Sequence, residues 1–296
     1  MQKIIPHLWF DKEAKDAASF YVSVFPDSAI TSSTVLRGTP SGDCDVVAFD
    51  LMGYSFLAIS AGPLFTFNPS VSFFVLCKTT DEVDHLWAKL SEGGHVLMEL
   101  GEYPFSKRYG WTADNYGVTW QVSLDDGHYQ YRHRITPTLM YAGDVAGKAE
   151  EAMRFYASVL PESTVGDIAR YQAGMEPDKE GTVMHGSVTL AGQEFFAMDS
   201  AQKHDFAFNE AISLIVNCDS QEEIDRYWDK LSAVPAAEQC GWLKDKFGLS
   251  WQITPSDMEE MLRSTSQAQV DRVTQAFLPM KKLDMETIRR AYEGSG

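Results

Sequence analysis

The chain has 296 residues, 44% of them hydrophobic, and a formal net charge of -17. That size and apolar content suit about two globular domains with a substantial core. The acidic balance, with no dense Lys/Arg stripe, argues against nucleic acid or an anionic membrane surface as a partner. Residues 4–10 read IIPHLWF, a short apolar run, and predict a strand. Over 12–24, Ala14, Ala17, Ala18, Tyr21 and Val22 recur near helical spacing, and Pro26 closes that helix. Strands are expected at 30–36, 45–51 and 54–60, with Gly53 turning the chain between the last two. This is one β-α-β-β-β unit. A second follows, with a strand at 71–77, a helix at 81–91 and strands at 95–100, 108–112 and 118–123.

After a polar join at 125–133, which contains Gly127, the plan recurs. A strand at 135–141 leads to a helix at 147–159 and strands at 165–171, 183–190 and 193–199. A strand at 211–217, a helix at 222–231 and a final strand at 249–254 complete the copy. The recurrence is written in the residues. TDEVDHLWAKLS (80–91) is answered by QEEIDRYWDKLS (221–232), YGWTADNYGVTWQV (109–122) by CGWLKDKFGLSWQI (240–253), and FYVSVFPDS (20–28) by FYASVLPES (155–163). Three paired blocks in one order mean an internal duplication. The second copy is shorter before its CGW block, which predicts a lost or shortened strand near Pro235. Beyond the repeat, Ser256 or Asp257 caps a helix. Met261, Leu262, Val270 and Val273 then form apolar faces lying on the domain, and a last short helix ends near 292–294. Four cysteines without CxxC spacing, no N-terminal apolar core and no run of about 18 apolar residues suggest a cytoplasmic protein.

The strings FNEAISLIVNC (208–218), QEEIDRYWDKLS and CGWLKDKFGLSWQI resemble the PhnB-like family, often labelled 3-demethylubiquinone-9 3-methyltransferase. Its superfamily, the vicinal oxygen chelate proteins, includes glyoxalase I, bleomycin-resistance proteins and extradiol dioxygenases. The resemblance spans 4–254 in two tandem copies. It implies an α+β protein of two tandem glyoxalase-like domains, 1–128 and 133–255, each built of paired β-α-β-β-β units, with a C-terminal helical extension at 256–296. It also implies that paired units curl their sheets into a cup that holds a ligand. One fused chain would then reproduce the arrangement that single-domain relatives reach as dimers, and further homodimerisation stays open.

The superfamily holds its metal at four cup-facing positions. Carried over, these are His7, Ala58, Ser72 and Gln121 in the first copy, and Thr138, Ala197, Ser213 and Gln252 in the second. A catalytic divalent ion usually takes three protein ligands from His, Asp, Glu or Cys. The expectation is therefore no metal and no cofactor. A small organic ligand would be contacted by His7, Trp9, Ser72, Gln121, Thr138, Met140, Ser213 and Gln252. Gln121 and Gln252 stand where active relatives carry a ligating glutamate; the amide keeps hydrogen bonding and drops the charge. Trp120 and Trp251 should point to the opposite face, against the repeat helices. Phe73, Phe74 and Tyr103 join Trp9 as wall candidates. His7 is read as a base or ligand contact, or else as a hydrogen-bonded core histidine. The aromatic loops at 62–68 and 204–209 are read as lids or as plain turns at Asn68 and Asn209. Cys77 and Cys218 are read as core packing, and Cys240 has no evident activating base. Three other readings stay open. One is a metal-dependent lyase, isomerase or dioxygenase using His7 with Glu99 or Asp199. Another is the methyltransferase of the label, although no GxGxxG turn is present. The last is partner docking by the C-terminal helices.

Overall fold

In the computed structural model, residues 2–127 and 133–294 are described. The join read at 125–133 falls mostly outside them. The first copy comprises β1 (Ile4–Phe10), α1 (Ala14–Val24), β2 (Ala29–Thr39), β3 (Gly42–Leu51), β4 (Tyr54–Ser60), β5 (Val71–Cys77), α2 (Thr80–Ser91), β6 (His95–Tyr103), β7 (Ser106–Ala113) and β8 (Thr119–Leu124). The second comprises β9 (Ile135–Ala142), α3 (Ala149–Val159), β10 (Thr164–Arg170), β11 (Val183–Leu190), β12 (Gln193–Ser200), β13 (Ile212–Cys218), α4 (Gln221–Leu231), β14 (Trp242–Lys244) and β15 (Ser250–Pro255). The extension forms α5 (Met258–Leu262), α6 (Gln267–Phe277) and α7 (Met285–Glu293). No described helix is long and apolar enough to cross a membrane.

The sheets do not follow the halves. One sheet has the order β14-β15-β13-β1-β4-β3-β2, and the other β10-β11-β12-β9-β5-β8-β7-β6. The seams are antiparallel pairs, β1 with β13 and β5 with β9. Each sheet thus joins the first unit of one copy to the second unit of the other. The cause lies in the four strands at the seams. Every residue of β9 is buried, and β1, β5 and β13 are buried along nearly their whole length. A strand so apolar cannot remain an open edge, and each finds its neighbour in the opposite half.

The four repeat helices pack on one face of the two sheets, and the core there is continuous. Phe56 of β4 meets Phe73 of β5 with ring centroids 5.0 Å apart. Trp120 and Trp251 are fully buried on this face. Trp120 lies against Tyr21 of α1 and Trp251 against Tyr156 of α3, at 5.3 and 5.2 Å. A buried carboxylate secures each cluster. Asp114 accepts from Tyr21 Oη and Trp120 Nε1, both at 2.8 Å, and from the amides of Tyr116 and Val118. Asp245 repeats this with Tyr156, Trp251 and the amides of Phe247 and Leu249. Burial pushes the Asp114 carboxyl up to about 6 against the pull of its four donors, and Asp245 shifts the same way for the same reason.

Among the described residues the second copy has no counterpart of β6. A short 3-10 turn at Pro235–Ala237 follows α4. The chain then reverses through Cys240 and Gly241, at φ of 52° and 84°, so β14 begins only at Trp242. The free edge of β14 is met by the segment before it, where Ala233 N donates to Lys244 O and Gln239 pairs with Trp242, and the extension ties the turn between them. The amides of Cys240 and Gly241 donate to the carbonyls of Met280 and Lys281, both at 2.7 Å. Before it reaches that turn, the extension crosses the face of its sheet opposite the repeat helices, where Val270 packs with Leu36, Cys44, Val46 and Ala61. Asp284 caps α7 by accepting from the Thr287 amide at 2.7 Å.

Candidate functional site

Where the extension lies over the first sheet, the two line a partly open cavity of about 360 Å³. Its floor is β1, β13 and β15, with His7, Ile215 and Gln252; β4 supplies Leu57 and Ile59. Trp9 and Trp242 stand edge to face at 6.0 Å, and Leu262 and Phe277 of the extension cover the top. Alternation along β1 puts Ile5, His7 and Trp9 on this face, as the sequence suggests.

His7 lies opposite Ser213 in the β1–β13 seam and opposite Leu57 in the β1–β4 pair. Its ring stands edge-on to Trp242 at 5.5 Å. Its Nδ1 is buried without a hydrogen-bond partner among the described residues, as is Ser250 Oγ two strands away. Nδ1 thus lacks the hydrogen bond that the core-histidine reading of His7 requires. Burial lowers its pKa to about 3, which leaves the imidazole neutral. Gln252 Nε2 donates to Ser213 Oγ at 2.9 Å.

The second sheet gathers the other candidates. Ser72 of β5 pairs with Thr138 of β9, and Gln121 Nε2 donates to Ser72 Oγ at 2.8 Å. Thr138 Oγ1 is buried without a partner among the described residues, and Met140 is buried two positions along the same strand. The eight candidates therefore fall into two groups that cross the halves. His7, Trp9, Ser213 and Gln252 share one sheet, and Ser72, Gln121, Thr138 and Met140 share the other. Grouping them by copy was incorrect, because the seams join units from different copies.

Other placements differ as well. Ala58 and Ala197 belong to the helix-facing core, and the strand neighbours of His7 and Thr138 are Leu57 and Phe196. Phe73 is likewise core and lines no cup. Phe74 meets Phe196 at 5.5 Å and Tyr103 stacks near Phe105 at 5.6 Å, both within the second sheet. The loops at 62–68 and 204–209 clasp one another: Asn68 Nδ2 donates to Ala207 O and Asn209 Nδ2 to Thr66 O. Trp9 Nε1 donates to Gly62 O at 2.8 Å, and this fixes the first loop against the cavity. Trp242, Ser250 and the extension residues were missed. Trp242 follows the repeated glycine of YGW/CGW, a signal that strand alternation could have used; the extension carries none that names its target.

A metal finds no donor set here. Among the described residues no three His, Cys, Asp or Glu are placed to hold an ion. Around His7 the remaining positions are a hydroxyl, an amide and an aliphatic chain. Glu99 and Asp199, named as substitutes, lie on the other sheet. Asp199 accepts from the amides of Ala149 and Val183. Three of the thiols are held toward the protonated form. Burial pushes Cys77 and Cys218 up to about 12 and also raises Cys240, whose Sγ lies 3.1 Å from Leu278 O.

The family model described as 3-demethylubiquinone-9 3-methyltransferase matches residues 2–123 and again 133–254. The chain belongs to this family. Members of the 3-demethylubiquinone-9 3-methyltransferase family share the vicinal oxygen chelate fold, and glyoxalase I from Zea mays shows that fold here at full length. It is 10% identical, covers 89% of this chain and 98% of its own, and superposes with a TM-score of 0.55. A PhnB protein from Bacillus cereus, described as a putative 3-demethylubiquinone-9 3-methyltransferase, is 39% identical over 42% of this chain and 99% of its own, with a TM-score of 0.39. The fosfomycin resistance protein FosX from Listeria monocytogenes is 15% identical over 40% of this chain and 86% of its own, at a TM-score of 0.31. No curated protein matches the chain.

Proposed function

We propose that the chain binds a small organic molecule in the roofed cavity of the first sheet, without a catalytic metal. The observation that carries this reading is the cavity itself. It combines about 360 Å³ of space, walls of Trp9, Trp242, Leu57, Ile59 and Phe277, and polar anchors at Gln252 and His7. Concave, mostly apolar sites with a few oriented polar groups are what small ligands use. Asp50, Glu259 and Arg263 also border the space, Glu259 and Arg263 as an ion pair, while the two anchors on its floor are neutral and suit an uncharged ligand group. Four cysteines without a disulfide suit a reducing, cytoplasmic setting.

The test uses untagged protein purified from cells. Mass spectrometry of the denatured extract should yield an organic molecule near one equivalent per chain, and H7A or Q252A should reduce its occupancy. Metal analysis of the same sample should give less than a tenth of an equivalent of any divalent ion. A stoichiometric divalent ion that is lost in H7A would instead establish the metal-dependent lyase, isomerase or dioxygenase reading.

A further inference from the structure

The duplication supplies an internal reference for this cavity. In the second sheet both ends of the Gln121 amide are engaged: Nε2 donates to Ser72 Oγ, and Oε1 accepts from the phenol of Tyr109, each at 2.8 Å. The Tyr109 ring is buried and meets Tyr103 and Phe105 edge-on, at 5.5 and 5.0 Å. In the first sheet Gln252 is held the same way, by Nε2 to Ser213 Oγ. Its neighbourhood matches too, since Trp111 pairs with Gln121 and Trp242 with Gln252. No tyrosine follows. The chain turns back at Cys240 and Gly241, so the strand that carries Tyr109 in one sheet is cut short in the other. No donor to Gln252 Oε1 is found among the described residues, and Gln252 lines the cavity. Where one sheet holds a phenol on a glutamine, the other holds the glutamine and an aromatic-walled space.

We propose that the cavity selects a neutral phenol, an aromatic ring with a free hydroxyl, packed against Trp9 and Trp242 with its hydroxyl on the Gln252 amide. This inference rests on the small-molecule reading above and specifies its ligand class. The Tyr109 side chain is the built-in analogue of the ligand. Because Nε2 is given to Ser213 Oγ, the group left for a ligand is the amide oxygen, and a phenol hydroxyl satisfies it by donating. An ether of the same shape lacks the donor and leaves the amide oxygen unpaired.

The probes are 4-methylphenol, which is the tyrosine side chain itself, and 4-methylanisole, its methyl ether. Calorimetric titration of the full chain at pH 7 should show one molecule of 4-methylphenol per chain, bound about tenfold tighter than the ether. Q252L should abolish that preference while still binding the ether. Y109A opens the same station in the second sheet, so it should take up a second equivalent of 4-methylphenol and regain melting temperature as it does. Equal affinity for the two probes in the wild-type chain, or a preference that persists in Q252L, overturns the phenol assignment. So does failure of 4-methylphenol to bind at all. The broader reading is judged separately, by whether a non-phenolic molecule co-purifies and is lost in H7A.

Discussion

At the scale of single residues, the molecule rests on polar side chains that the duplication uses twice. Asp114 closes a turn and ties it to Tyr21 and Trp120 with one carboxylate. D114N would turn an amide N–H toward two donors and leave at least one of them unpaired in the core. The expected loss is about 2–4 kcal/mol, read from chemical denaturation, with Y21F partly relieving it. His7 gives a pH signature. Its folded pKa is depressed to about 3 from an ordinary 6.5. The unfolded chain therefore binds the extra proton between these values, and stability falls as pH drops through that window. Relative to H7N, the wild-type chain should lose about 1.4 kcal/mol per pH unit between 6 and 4. Parallel stability curves for the two proteins would show that His7 is not buried neutral. Gln121 and Gln252 were legible in the sequence, because each follows a turn glycine in a repeated string. That one amide oxygen accepts from Tyr109 while the other residue lines a cavity was not, because this depends on where a shortened strand ends.

At the scale of elements, the C-terminal extension does two jobs that its sequence does not announce. Met280 and Lys281 hold the Cys240–Gly241 turn that stands where the longer strand would run, and α5 and α6 bring Leu262 and Phe277 over the cavity. The helices were readable from Asp284, Gly294 and the spacing of Val270 and Val273; the face they cover was not. An amphipathic helix specifies that it must be buried, not against what. Deleting 256–296 should expose Leu36, Val46 and Trp9, lower the melting temperature by more than 5 °C and increase binding of an apolar fluorescent dye. It should also abolish retention of any co-purifying ligand. A truncated chain that melts as before and keeps its ligand would show that the extension is no roof.

At the scale of the whole molecule, neither copy is complete. The β1–β13 and β5–β9 seams leave each half with two apolar edge strands when it is separated from the other. Residues 2–127 or 133–294 expressed alone should self-associate, and mixing the two should give a one-to-one complex that regains the cavity, as measured by sedimentation. A stable monomeric half would contradict the seam argument. What the sequence settled unaided was the duplication, the order and approximate bounds of most elements, and the polar positions on the cup faces. All of these follow from local periodicity and repetition. Only the tertiary structure decided which unit pairs with which, which sheet receives the roof, and which of two similar glutamines is left facing space. Backbone edges pair through identical N–H and C=O groups, so a strand's own residues state that it needs a neighbour without naming one.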